Sequence, residues 1–174
     1  MPRLRKMLGS AEHPTVIALM RQMETQSHLT LARWAADQAE ALALPVYQAA
    51  HPEDARLTEA LTAVRRFLAG ELSASGLAAP LKAARQAARE TTEPAAQAAA
   101  RAVATACGAA RTPTRALGFT FYCAAAVAYT QAGVSASPAE HDALADKVFA
   151  GLLASLQAAS VPDEAHPAHL QWGC

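Results

Sequence analysis

The sequence predicts an all-α protein, and three features of its composition support this fold class. Alanine, the strongest helix former, makes up about a quarter of the 174 residues, far above ordinary usage. Aromatic residues account for only 5% of the chain and isoleucine occurs once, as Ile17, so the side chains that fill pleated sheets are scarce. Ten prolines divide the chain into segments of helical length. We expect a single-domain bundle of about six to seven antiparallel helices with short loops, or, as an alternative, a solenoid-like stack of helix pairs.

The first two predicted helices cover residues 15–25 and 29–49, where apolar residues recur at three- and four-residue steps. In the second helix, Trp34 lies on the apolar face and Pro45 lies in the interior. Because proline removes a backbone donor and clashes with the preceding turn, we expect a kink at Pro45 rather than a helix end.

The next three helices are bounded by proline, glycine and short polar segments. Pro52, followed by two acidic residues, is typical of a helix start. Gly70 is typical of the position just past a helix end. Small polar residues precede the fourth helix, and Pro94 opens the fifth. These patterns predict helices over residues 52–69, 77–90 and 95–110.

The sixth and seventh helices carry the clearest boundary signals. Pro113 opens a segment that ends at Gly133 and carries no charged residue after Arg115. Ser137 and Glu140 have the spacing of a capping box, in which each side chain accepts a hydrogen bond from the other residue's backbone amide. We predict helices over residues 113–132 and 138–159. The apolar part of the uncharged segment is shorter than the roughly 20 residues that a bilayer requires, so we interpret it as a buried central helix.

The proposed domain is flanked by two short segments of different composition. Residues 14–160 hold all the predicted helices, whereas residues 1–13 form a basic N-terminus that we expect to be flexible. Residues 161–174 form a tail containing proline and histidine. We expect Leu170 and Trp172 to order part of this tail by docking on the bundle.

Charge and cysteine usage restrict the partner and the compartment. The 15 basic and 15 acidic groups cancel, so the whole protein lacks the long-range attraction that nucleic acid or an anionic membrane requires. The cysteines Cys107, Cys123 and Cys174 are widely spaced and form no CxxC pair, which favours a reducing, cytoplasmic location. Cys107 lies among alanines and is interpreted as a buried core residue. We expect no membrane association.

The sequence contains none of the common catalytic motifs, such as a phosphate loop, a dinucleotide-binding glycine pattern, a nucleophile elbow or HExxH. His166 and His169 with Cys174 are weak candidates for metal ligands, because imidazole and thiolate suit zinc or nickel. We therefore expect neither a cofactor nor enzymatic activity. The six histidines and the clustered acids leave a metal-dependent or small-ligand-binding enzyme as an alternative.

Basic residues concentrate in the alanine-rich part of the chain. Lys82, Arg85 and Arg89 recur at three- and four-residue steps and therefore share one face of the fourth predicted helix. This face is typical either of an ordinary solvated helix or of a docking surface for an acidic partner. A nucleic-acid-associated accessory role is a further alternative. The basic series continues with Arg101, Arg111 and Arg115.

The order of several short motifs resembles the immunity-protein-five-like family of bacterial polymorphic toxin systems. The motifs are Trp34-Ala-Ala-Asp37 with Glu40, then Leu44-Pro45, Pro52-Glu-Asp54-Ala-Arg56 and Gly70-Glu71, followed by the alanine-rich helices. The resemblance covers about residues 29–132.

This resemblance implies an all-helical, non-enzymatic protein that binds and neutralises a toxin domain. Inhibitor interfaces of this kind depend on a few anchors and on charge complementarity rather than on a catalytic constellation. We expect Asp54 and Arg56 also to hold the loop before the third predicted helix, and we consider a homodimer possible. The candidate partner-binding residues are Trp34, Asp37, Glu40, Asp54, Arg56, Lys82, Arg85, Arg89 and Arg115.

Overall fold

The computed structural model describes residues 3–173 and contains eight α-helices, with no strand in the described part of the chain. The prediction of an all-α bundle is confirmed. The helices are α1 (Pro14–Met23), α2 (His28–Leu42), α3 (Leu44–Ala50), α4 (Arg56–Leu68), α5 (Ala78–Glu90), α6 (Pro94–Gly108), α7 (Arg115–Ala132) and α8 (Pro138–Ala159). One turn of 3-10 helix, Ser75–Leu77, leads directly into α5.

Helix α6 lies at the centre of the bundle and is buried on nearly all sides. It packs most extensively on α7 and also contacts α2, α3, α4 and α5. Small residues on both helices permit this close approach: α6 carries many buried alanines, and a Cβ added at Gly118 of α7 would lie 3.3 Å from the Cγ2 of Thr105 on α6. Helix α8 packs on both α7 and α1. The first and last helices are therefore neighbours, which closes the bundle.

The segment predicted as one kinked helix, residues 29–49, forms two helices, so the structure has one helix more than the sequence predicted. Helix α2 ends at Leu42, and α3 begins at Leu44. Pro45 is thereby placed in the first turn of α3, where its missing N–H needs no partner. Like the predicted kink, the break keeps Pro45 out of the interior of a regular helix.

Helix α4 begins at Arg56 rather than at Pro52. The amide of Asp54 donates to the carbonyl of His51, so a turn precedes the helix. The Asp54 carboxylate then accepts the amide of Arg56 at 3.0 Å, which satisfies a donor that the first helical turn leaves open. The predicted end at Gly70 is confirmed, since Gly70 has a φ of +78° just past α4.

The predicted capping box at the start of α8 is present. The amide of Glu140 donates to Ser137 Oγ at 3.2 Å, and the amide of Ser137 donates to the Glu140 carboxylate at 2.8 Å. No helix of residues 3–173 combines the length and apolarity that a membrane crossing requires.

Both flanking segments contact the helices. Leu8 is fully buried, and its amide donates to the carbonyl of Phe121 on α7 at 3.2 Å. In the tail, Leu170 and Trp172 pack against the core, and the Trp172 indole donates to Glu24 at 2.7 Å. The domain boundaries and the flexibility expected for residues 1–13 stay predictions.

Candidate protein-binding surface

A four-residue polar network joins α3, α4 and α5 around the Asp54 carboxylate. The Arg56 guanidinium donates to Asp54 through Nε at 3.0 Å and through Nη2 at 2.7 Å. The hydroxyl of Tyr47 donates to Asp54 Oδ2 at 2.6 Å, the oxygen that also accepts from Arg56 Nη2. Arg56 also pairs with Glu90 at the end of α5, at 2.8 Å. The network thus fixes the loop before α4 to the helices on either side.

The pKa values of this network follow from its hydrogen bonds. Those donated by Arg56 hold the pKa of Asp54 well below its usual range, and those accepted by Asp54 and Glu90 raise the pKa of Arg56. Burial raises the pKa of Tyr47. Asp54 therefore stays ionised and Tyr47 stays protonated at neutral pH. Because the hydrogen-bond donors and acceptors of these groups are paired with one another, the network mainly positions the loop before α4, as expected from the sequence.

Asp37 and Glu40 form a second charged cluster with Arg65. Both acids lie on the exposed face of α2, and Arg65 reaches them from α4, pairing with Asp37 at 2.7 Å and also with Glu40. Hydrogen bonding to Asp37, then to Glu40, raises the pKa of Arg65. All three side chains keep substantial exposure, so the cluster remains accessible to a partner.

Trp34 lies in the core and presents almost no surface. Its side chain is 2% exposed, its indole donates to Ser155 Oγ at 2.8 Å, and its ring meets Phe119 edge-on at 5.3 Å. In this structure Trp34 therefore offers no surface for direct contact with a partner. The helical spacing of the apolar residues predicts that Trp34 lies on the apolar face of α2, which is the face that packs against the core.

The basic residues of α5 meet a further arginine across a cavity of about 210 Å³. Arg85 and Arg89 line it from α5, Arg101 lines it from α6, and Tyr122 lines it from α7. Gln86 accepts a hydrogen bond from Arg89 at 2.7 Å and so orients that guanidinium.

A second cavity of about 210 Å³ adjoins the first at Arg101. The N-terminal segment forms one wall of this cavity, and Gln97 and Tyr129 lie on the other side. The Tyr129 hydroxyl donates to the carbonyl of Arg5, which ties the segment to α7. The two cavities define what we call the basic groove, whose charged residues are Arg3, Arg5, Lys6, Arg85, Arg89 and Arg101.

The sequence indicated only part of this groove. It placed Arg85 and Arg89 on one face, and the structure adds Tyr122 and the N-terminal basic residues. Docking of the N-terminal segment depends on Leu8 and Phe121, which are 113 residues apart in sequence, so no local pattern predicts it. Lys82 and Arg115 are exposed but do not line either cavity of the groove.

The metal candidates do not form a cluster in the described residues. His166 and His169 are exposed in the tail, and Cys174 lies outside the described residues. Residues 3–173 contain no group of three histidine, cysteine or acidic side chains positioned to hold a metal ion.

Cys107 and Cys123 are free thiols buried in α6 and α7. Burial raises the pKa of each thiol to about 12. Since the thiolate is the nucleophilic form, neither cysteine is activated for catalysis, and the interpretation of Cys107 as a core residue agrees with its burial.

A third cavity, of about 450 Å³, lies between the N-terminal segment and α8. Arg5 pairs with Asp142 across it at 2.8 Å, and the His13 imidazole bonds to Asp146 at 2.7 Å. The Nδ1 of His13 also accepts the amide of Thr15. The charged groups of this cavity thus link the N-terminal segment to α8.

These features define a class of protein: an all-helical bundle that holds charged side chains in fixed positions on its surface. Residues 21–148 match the model of the Imm-5 like putative immunity protein family. The chain belongs to this family, and the resemblance read from its motifs is confirmed. No curated protein and no solved structure matches the chain.

Proposed function

We propose that this protein binds a toxin domain of a bacterial polymorphic toxin system and neutralises it without catalysing a reaction. Membership of an immunity-protein family is the observation that carries the proposal. A protein partner is the kind of ligand that such a family implies. The buried free thiols Cys107 and Cys123 support action in the reducing cytoplasm.

The charged surface supports a binding role because several of its side chains are held in place by contacts within the protein before any partner arrives. Arg65 fixes Asp37 and Glu40 between α2 and α4, and Gln86 orients Arg89. Preorganised charges lower the entropic cost of association and select a partner of complementary charge. The candidate binding residues are Asp37, Glu40, Asp54, Arg56, Lys82, Arg85, Arg89 and Arg115.

Co-expression with the toxin domains encoded beside its gene tests the proposal. The protein should restore growth of a host that expresses one of these domains, and the two should purify as a complex. An empty vector and an unrelated helical protein are the controls. If no neighbouring toxin domain is rescued or bound, the proposed function is wrong.

Titration of the purified toxin domain distinguishes binding from catalysis. A non-enzymatic inhibitor acts by occupancy, so toxin activity should disappear only near an equimolar amount of the protein. Inactivation by a small fraction of that amount, increasing with time, would instead indicate an enzyme. We also propose that the protein forms a homodimer, and sedimentation of the protein alone tests this.

A further inference from the structure

We propose that the basic groove is the docking site for a carboxylate-rich segment of the partner protein. This inference rests on the proposed function for the identity of the partner. The groove itself is defined by geometry and charge alone.

The first argument is the continuity of the groove. Arg101 lines both of its cavities, so the two lie next to each other along α6, between α5 and the N-terminal segment. Each cavity has a volume of about 210 Å³. This space suits several side chains of an extended segment better than a single ion.

The second argument is that the acids beside the groove are already engaged. Glu90 pairs with Arg56 at 2.8 Å. Glu93 caps α6, its carboxylate accepting the amides of Ala95 and Ala96 at 3.1 and 2.6 Å. Within residues 3–173, Arg85, Arg89 and Arg101 form no ion pair. The groove therefore keeps a local positive charge in a protein whose net charge is zero.

The third argument is the chemistry of the cations. Arginine presents planar pairs of donors that match a carboxylate, and three arginines line the wall of the first cavity. Two alanines, Thr105 and Tyr122 form the rest of this wall, and the alanines and the tyrosine ring offer apolar contact to the stems of glutamate side chains. The neutral net charge favours an acidic protein segment over nucleic acid, which binds through long-range attraction to many phosphates.

A labelled oligoglutamate peptide tests the groove directly by fluorescence anisotropy at low ionic strength. The wild-type protein should bind the peptide saturably, and added salt should weaken binding. The double variant Arg85→Glu/Arg101→Glu should bind at least about tenfold more weakly, because two of the central cations are reversed. The matched control, Arg66→Glu/Lys147→Glu, makes the same change in net charge at exposed positions outside the groove, and its affinity should change by less than about twofold.

Several results would overturn the proposal. These are the absence of saturable binding by the wild-type protein, an equal loss in the control variant, and tighter binding of single-stranded DNA of equal charge. Circular dichroism melting checks that each variant folds, and Arg85→Gln/Arg101→Gln replaces the reversal variant if that one does not.

Growth rescue separates this inference from the proposed function. If the wild-type protein and Arg85→Glu/Arg101→Glu rescue the host equally, the groove is not the docking site although the protein is an immunity protein. If the wild-type protein rescues no neighbouring toxin, the proposed function fails. The peptide experiment still decides whether the groove binds carboxylate-rich segments.

Discussion

Asp54 is the residue on which the loop before α4 depends. It accepts hydrogen bonds from Tyr47, from the Arg56 guanidinium and from the Arg56 amide. We expect Asp54→Ala to lower the free energy of unfolding by about 2 kcal/mol, because it leaves half-buried donors without a partner. Urea denaturation measures the change. Glu53→Ala, an exposed neighbour, is the control, and an equal effect of the two substitutions would contradict the role assigned to Asp54.

The same carboxylate should make stability depend on pH in a defined direction. The pKa of Asp54 in the folded protein lies well below its usual range, whereas its pKa in the unfolded chain is about 3.9. The stability that it contributes is therefore complete above pH ~5 and is lost progressively as the pH falls through the unfolded-state pKa toward the folded-state pKa. We expect the wild-type protein to be more stable than Asp54→Asn at pH ~6, and this difference to shrink by pH ~3. A constant difference in urea denaturation at the two pH values would exclude the linkage.

Buried thiols allow a third prediction at the scale of single residues. Cys107 and Cys123 lie in the core, and burial raises the pKa of both to about 12. In a Cys174→Ser variant, a thiol reagent at neutral pH should react slowly with the native protein and rapidly after denaturation. In the folded protein the buried thiols are protonated and the reagent cannot reach them. Rapid labelling of the native variant would show that one of these helices opens readily.

At the scale of elements, the helix boundaries marked by a capping box or by a glycine just past the helix end were predicted correctly. The capping box at Ser137 and the glycine after α4 are of this kind, since each involves neighbours along the chain. The break between α2 and α3 was predicted as a kink because proline forbids a regular helix but does not specify how it is avoided. Likewise, Pro52 predicted a helix start at residue 52, but α4 begins at Arg56, whose amide is capped by the Asp54 carboxylate.

Helix α6 illustrates how alanine controls packing between elements. Its interior positions, such as Ala99, are fully buried against neighbouring helices. We expect Ala99→Leu to lower the free energy of unfolding by about 1–3 kcal/mol, because the larger side chain must displace a packed helix. Ala158→Leu on the exposed side of α8 is the matched control. Thermal or urea unfolding compares the two, and a harmless Ala99→Leu would show that α6 is loosely packed.

At the scale of the whole molecule, the N-terminal segment connects α7, α8 and the basic groove. Leu8 is fully buried, and a Cβ added at the adjacent Gly9 would lie 2.5 Å from the ring of Phe149. Gly9 also has a φ of +90°, so this close approach requires glycine. Leu8 and Gly9 thus anchor the segment whose Arg3 and Lys6 line the same cavity as Arg101.

Leu8→Ala should therefore loosen the attachment of the N-terminal segment and also lower the affinity of the basic groove for the peptide. We expect a loss of about 2–4 kcal/mol in unfolding free energy, because a fully buried leucine is truncated, and weaker binding of the oligoglutamate peptide. The control is Met7→Ala, since Met7 is 45% exposed. Unfolding and anisotropy measure the two effects, and full peptide affinity in Leu8→Ala would show that the segment does not belong to the binding surface.

The sequence by itself determined the fold class, most helix boundaries and the family, because helix propensity, capping and motif order act within short stretches of chain. It also placed Arg85 and Arg89 on one face. Only the tertiary structure decided that Trp34 is buried and that Arg101 and the N-terminal basic residues join Arg85 in one groove. The physical reason is that these arrangements depend on packing between segments far apart in sequence, and no local periodicity encodes which faces meet.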